Sequence, residues 1–252
     1  VIRRTMTQTL RWIAMAMIPY VAVTMVVFLC QRFLLFLPTH RDVPTLLQPW
    51  LVENRTLGYC REVPGARTVW LMTHGNGGQA ADRDYVLSRM SDQDALYVLE
   101  YPGYGARDGK SCRDSFNQST AEAYRILKSQ YPDTPVCVLG ESIGSGPACE
   151  LAWEETPPDK IVLVVPFDSL ASVASNRFFF LPVRLLLLDD WDNVDALKDY
   201  AGPVEIFAAT GDEIIPIKHA QALAKQIPHA RFTAISGGHN DWALSDDVRI
   251  SR

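Results

Sequence analysis

The run Val136-Cys137-Val138-Leu139-Gly140-Glu141-Ser142-Ile143-Gly144-Ser145-Gly146 limits the possible folds of this chain more than any other segment. A short apolar, β-branched stretch leads into Gly-x-Ser-x-Gly, and an Ala- and Leu-bearing helical pattern follows. That order reads as a strand turning sharply into a helix, with a serine hydroxyl lifted clear of its own backbone. Glycines two before and two after the serine let strand and helix approach where a Cβ would obstruct them. The turn also sets Ser142 at a helix N-terminus, where free N–H groups favour developing negative charge. A bare Gly-x-Ser-x-Gly is common by chance, so its strand–turn–helix setting carries the weight.

The surroundings agree. From residue 57 onward, short apolar runs alternate with helical patterns, the mark of an α/β fold with a mostly parallel sheet and crossover helices. Strands are expected at 68–73, 95–101, 136–140, 161–165, 204–209 and 231–235. Helices are expected near 79–90, 119–131, 143–155, 217–227 and 241–250. With 252 residues, 48% of them hydrophobic, the chain suits one large domain with a proper core. A net charge of −5 leaves no basic footprint, so nucleic acid is not an expected partner. The five cysteines form no CxxC pair and no zinc-ligand spacing, and no metal site is expected. Cys137 and Cys149 read as inert core thiols. Cys60 and Cys112 could pair only in an oxidising compartment.

The N-terminus adds a location. Residues 12–30 carry no charge, and as a helix they would span roughly 28 Å, close to the ~30 Å hydrocarbon core of a bilayer. The expected organisation is a single-pass membrane anchor at 1–37, a connector at 38–56 and a catalytic domain at 57–252. Arg3, Arg4 and Arg11 precede the apolar run. They favour a cytoplasmic N-terminus with the domain on the non-cytoplasmic side, although Arg32 weakens the asymmetry. A cleaved signal peptide is the rival reading, and no clean small-x-small cleavage site follows the run. A buried soluble helix fits poorly, because no polar face is visible.

Ligands of open parallel sheets bind beyond the carboxyl ends of the strands, and the chemistry-bearing residues cluster there. His239 lies in Ser236-Gly237-Gly238-His239-Asn240-Asp241 after the last strand, and is the natural general base for Ser142. His219 and His229 read as solvated helix and loop residues, and His40 falls in the connector. A third group must orient the imidazole and stabilise its charged form. Asp212, in Gly211-Asp212-Glu213-Ile214-Ile215-Pro216, leads because the chain order Ser142, Asp212, His239 suits this architecture. Its rivals are the adjacent Glu213 and Asp168, which follows the preceding strand. The loop His74-Gly75-Asn76-Gly77-Gly78 can aim a backbone N–H into the site, so the N–H groups of Asn76 and Ile143 are the candidate oxyanion hole. His74 reads as a structural hydrogen-bonding residue beside them.

These residues carry a resemblance. The region 57–250 resembles the α/β-hydrolase-fold serine hydrolases, and within them the small membrane-anchored, bud-emergence-type (Bem-type) group. The likeness rests on His74-Gly75-Asn76-Gly77-Gly78, Tyr101-Pro102-Gly103-Tyr104-Gly105, Gly140-Glu141-Ser142-Ile143-Gly144, Gly211-Asp212-Glu213-Ile214-Ile215-Pro216 and Gly237-Gly238-His239-Asn240-Asp241. It implies an α/β-hydrolase fold with helices on both faces of the sheet, an acyl-enzyme on Ser142 and no cofactor. Phe167-Asp168-Ser169 departs from the group's usual Phe-Thr-Ser, which leaves the role of Asp168 open. The run from Phe178 to Leu188 sits where the resembled fold inserts a lid, and it is short. It could line an acyl pocket, touch the membrane, or simply pack on the core. The expected activity is hydrolysis of a small-molecule or lipid-like ester or thioester. A peptidase of the same fold and a catalytically idle, membrane-anchored interaction module are the alternatives.

Overall fold

The computed structural model describes the backbone of residues 2–252 and the side chains of residues 12, 15 and 17–252. Its strands are β1 (Gln48–Val52), β2 (Arg55–Arg61), β3 (Thr68–Thr73), β4 (Asp94–Leu99), β5 (Val136–Glu141), β6 (Ile161–Val164), β7 (Val204–Ala209) and β8 (Arg231–Ile235). They form one sheet in the order β1-β2-β4-β3-β5-β6-β7-β8. Strands β3 to β8 run parallel, and β1 and β2 add an antiparallel edge. Strands β3 to β7 bury every residue, because helices cover a parallel sheet on both faces. Alternation then sorts their side chains. Val69 and Leu71 of β3 enter one core layer with Phe116 and Trp191, while Trp70 and Met72 enter the other with Trp242.

The helices are α1 (Ile2–Leu35), α2 (Arg113–Gln130), α3 (Ser145–Glu150), α4 (Leu170–Arg177), α5 (Val183–Leu186), α6 (Asn193–Leu197) and α7 (Lys218–Gln226). All six expected strands form, with ends that move by one or two residues. The β1–β2 hairpin was not expected, and it begins inside the stretch read as a connector. Only Trp50 of β1 is buried, so its apolar period is too sparse to read. The turn itself is chemically sound: Glu53 and Asn54 both take positive φ (49° and 64°), as a two-residue hairpin requires. The helix expected at 241–250 is a correction. Only one 3₁₀ turn forms there, Trp242–Leu244, and Ile250 instead bridges Met90 beside the sheet. Ser245, Asp246 and Asp247 are turn-formers that compete with helical hydrogen bonding. The segment expected at 79–90 is helical but wound as a 3₁₀ coil, Ala80–Arg89.

Within α1, Met17–Leu35 is long and apolar enough to cross a membrane, and none of it is buried in the protein. Arg3, Arg4 and Arg11 lie outside the described side chains. The helix ends on the domain rather than drifting from it. Phe36 packs against Phe116 and Trp191 at ring-centroid distances of 5.1 and 6.4 Å. Arg32 donates to Asp189 at 2.7 Å, and Asp189 also accepts from the Arg113 N–H at the start of α2.

Candidate active site

Strand β5 delivers Ser142 through the turn read from the sequence. Ser142 adopts φ 53°, a left-handed conformation that costs a non-glycine residue roughly 1–3 kcal/mol and persists only where its surroundings enforce it. The flanking glycines show what enforces it. A Cβ on Gly140 would come within 2.8 Å of the Ala148 side chain and the Ser145 Cα, and one on Gly144 would collide with the Thr73 carbonyl. The elbow is therefore pinned between α3 and the end of β3. Ser145 Oγ donates to the Ser142 carbonyl at 2.7 Å and accepts from Asn193 Nδ2 at 3.0 Å.

Three of the expected site residues meet in a hydrogen-bonded chain. Ser142 Oγ lies 2.8 Å from His239 Nε2, and His239 Nδ1 lies 2.6 Å from Asp212 Oδ2. With Nδ1–H donating to the carboxylate, Nε2 is left to accept the serine proton. Asp212 is buried, and its other oxygen accepts the N–H groups of Ile214 and Ile215 at 2.9 and 2.8 Å. Those two bonds fix the carboxylate facing the imidazole. The histidine loop is held by Gly238 N–H donating to Asp241 and by Gly211 N–H donating to the Gly237 carbonyl.

The rivals of Asp212 are drawn elsewhere. Glu213 is exposed. Asp168 pairs with His219, its Oδ1 lying 2.8 Å from Nδ1. This also corrects the reading of His219 as solvated: it is buried at the start of α7, and its Nε2 lies 3.2 Å from Asn176 of α4. His229 and His40 are exposed. His74 is buried, as a structural residue should be, against Tyr101, whose hydroxyl donates to the His74 carbonyl.

The loop after β3 reaches the elbow. Gly75 N–H donates to Glu141 Oε2 at 2.7 Å, and Arg83 Nη2 donates to the Gly75 carbonyl at 3.1 Å. The Asn76 side chain accepts from Leu37 N–H and Tyr104 OH, and donates to the Leu35 carbonyl, so it caps the end of α1. Its own N–H is found donating to nothing among the described residues. Ile143 follows the serine directly and is buried.

Glu141, Arg83, Tyr85 and Trp242 make a support that the sequence reading missed. Glu141 accepts from Tyr85 OH at 2.7 Å, Trp242 Nε1 at 2.9 Å and Gly75 N–H, with Arg83 Nε at 3.6 Å. Burial alone would raise its carboxyl. The Arg83 charge and these hydrogen bonds outweigh burial and hold it below the usual carboxylate range. One signal was present: a charged residue between an apolar strand and the nucleophile, at a turn too tight to leave it in water, must be paired.

The cysteines are all free, Cys60 and Cys112 included. Burial pushes the Cys137 thiol up to about 12 and the Cys149 thiol well above its ordinary value, as inert core thiols require.

No protein-family model matches the chain. It is similar to an uncharacterized protein of Mycobacterium tuberculosis, 29% identical over 83% of this chain and 76% of that protein. It is also similar to human alpha/beta hydrolase domain-containing protein 17B, 30% identical over 74% of this chain and 65% of that protein. A third relative is the lysophosphatidylserine lipase ABHD12 of Xenopus tropicalis, 27% identical over 59% of this chain but only 44% of the lipase. Among solved structures, the Pyrococcus furiosus esterase Pf2001 superposes with a TM-score of 0.63, covering 82% of this chain and 95% of the esterase at 14% identity.

Proposed function

The chain has the α/β-hydrolase fold, and on that premise we propose that it is a serine hydrolase cleaving carboxylic ester or thioester bonds through an acyl-enzyme on Ser142. The hydrogen-bonded chain Ser142–His239–Asp212 is the single observation that carries the reading. Ser142 Oγ attacks the substrate carbonyl as His239 Nε2 takes its proton, and Asp212 stabilises the imidazolium and keeps the ring oriented. The N–H groups of Asn76 and Ile143 receive the oxyanion. His239 then protonates the departing alkoxide or thiolate. A water attacks the acyl-serine by the same route in reverse, releasing acid and free enzyme. The bonds broken and formed balance without a metal or organic cofactor.

The lipase name of the Xenopus relative supports a lipid-like substrate, and α1 supports anchoring at the membrane where such substrates lie. An apolar N-terminal helix before one hydrolase domain supports placement in the bud-emergence-type group. Arg3, Arg4 and Arg11, which precede the uncharged stretch of the chain, support a catalytic domain on the non-cytoplasmic side. The test is a fluorophosphonate probe applied to wild type and Ser142→Ala. Covalent labelling of wild type that vanishes in the variant is expected, since losing a triad serine costs ~10⁶ in turnover. A folded wild type that takes no label would sink the reading and leave a binding module of the same fold.

A further inference from the structure

The segment between α4 and Asp189 carries an apolar surface that the domain does not use. Phe179 and Leu185 are about 85% exposed, and Phe178, Phe180 and Leu188 are also exposed. Singly such residues mean little, but here they fall within one short segment, 178–188, and lie along a helix many of whose own apolar side chains are exposed. Tyr20 OH donates to the Phe180 carbonyl at 2.9 Å. Gln31 Nε2 donates to the Leu186 carbonyl at 3.1 Å, and Gln31 Oε1 accepts the Leu188 N–H at 2.8 Å. An apolar cavity of about 160 Å³ lies between the two, lined by Phe28, Leu34 and Leu35 of α1 and by Phe178, Leu181 and Leu187 opposite.

The depth of these contacts is informative. From Tyr20 to Gln31 an α-helix rises roughly 16 Å, about half of the ~30 Å hydrocarbon core. Both residues flank or fall within the uncharged stretch of α1 that would cross a bilayer. A helix at that depth therefore carries the neighbouring segment down with it. Non-helical backbone tolerates hydrocarbon only if its polar groups are satisfied within the protein, and here many are. The N–H groups of Phe178, Leu181, Val183, Leu185 and Leu187 all donate to carbonyls of the segment or of α4. Tyr20 and Gln31, polar side chains within the uncharged stretch of α1, satisfy three more of the segment's backbone groups, the Phe180 and Leu186 carbonyls and the Leu188 N–H. Arg184 is exposed and can reach the headgroups along its apolar stem.

We propose that the segment from Phe178 to Leu188 is immersed in the leaflet nearest the domain, as a second membrane element packed beside α1, with lipid acyl chains covering Phe179 and Leu185. The proposal rests on the reading of α1 as a membrane anchor and not on the chemistry of Ser142.

The test uses the full chain with Cys30→Ser and Cys112→Ser, reconstituted into phosphatidylcholine vesicles. Nitroxide spin labels are placed singly through Phe179→Cys, Leu185→Cys, Val23→Cys and, as an aqueous control, Asp133→Cys. Circular dichroism and a melting temperature close to that of the parent chain screen each variant for folding. The expected result is that oxygen, which partitions into hydrocarbon, relaxes the labels at 179, 185 and 23 severalfold more, relative to a water-soluble nickel chelate, than at 133. A label at 23 that behaves so while 179 and 185 match the aqueous control overturns the immersed segment alone. A label at 23 that is itself in water overturns the anchor as well. Labels at 179 and 185 shielded from both relaxants would mean that protein covers this face, which also overturns the proposal.

Discussion

Asp212 and Asp168 are both acids beyond strand ends, and each holds an imidazole at hydrogen-bond distance. Only one imidazole touches the serine. Asp212→Asn should therefore lower kcat by about 10⁴ by favouring the wrong tautomer of His239, whereas Asp168→Asn should change it far less. Steady-state kinetics on a soluble short-chain ester, with circular dichroism confirming the fold, checks both. Equal losses would mean that His219 takes part in the chemistry. The sequence showed Ser142, Asp212 and His239 because each follows a strand of one parallel sheet, and strand order alone brings those ends to one edge. It could not show the His219–Asp168 pair, whose partners come together only through packing of α7 on the loop after β6. The partners of Glu141 were invisible for a related reason: Arg83, Tyr85 and Trp242 come from two other segments of the chain. Its carboxyl is held below the ordinary value of 4.5 in the fold. That depression contributes stability fully present above about pH 4.5, and the contribution is lost as pH falls through the folded value. Glu141→Gln should lower stability at pH 7 by about 3–5 kcal/mol, because it leaves the Arg83 charge buried without its partner. The variant should also lose the part of wild type's pH dependence below 4.5 that Glu141 contributes. Urea melts at pH 7 and at pH 4 give both quantities, and a pH 7 midpoint equal to wild type would remove Glu141 as the clamp.

At the scale of elements, α1 and the loop after β3 are mechanically joined. The Asn76 side chain bonds the Leu35 carbonyl and the Leu37 N–H, and its backbone N–H is the proposed oxyanion donor. Asn76→Ala keeps that N–H but frees the loop from the end of the helix. A displacement of about 1 Å at an active site can cost ~10² in rate, so kcat should fall by up to that factor with KM little changed. A proportional rise in KM instead would assign Asn76 to substrate binding. Phe36→Ala tests the same joint through packing. It empties a site between Phe116 and Trp191 and should cost about 3–5 kcal/mol, read as a lower Tm of the detergent-solubilised chain. The sequence marked α1 by its uncharged length but gave no sign that its end is built into the domain. That information lies in the partners of Phe36 and Arg32, more than 70 residues further along the chain. The β1–β2 edge was likewise unreadable, since an edge strand burying one side chain has almost no apolar period to detect.

For the whole molecule, two attractions could hold it at a membrane, and they respond differently to salt. Adsorption to anionic lipid needs basic residues, each worth about 1 kcal/mol near the surface, and it fades as the Debye length shrinks from ~10 Å at 0.1 M salt to ~3 Å at 1 M. This chain has 24 Lys and Arg against 29 Asp and Glu, so it carries net negative charge and should be repelled by such a surface. Insertion of α1 depends instead on apolar burial, which raising salt does not weaken. Met17–Leu35 offers 19 residues, none of them buried in the protein, enough to span about 28 Å. The full chain reconstituted into vesicles should therefore stay in the sedimented membrane fraction in 1 M NaCl and in alkaline carbonate, and be released only by detergent. Release by salt would mean surface adsorption by a local basic patch. Release by carbonate with salt resistance would mean that α1 and its neighbouring segment lie along the surface without crossing. Retention in both, with neutral and anionic vesicles alike, is the outcome that a spanning helix on a net-acidic domain requires.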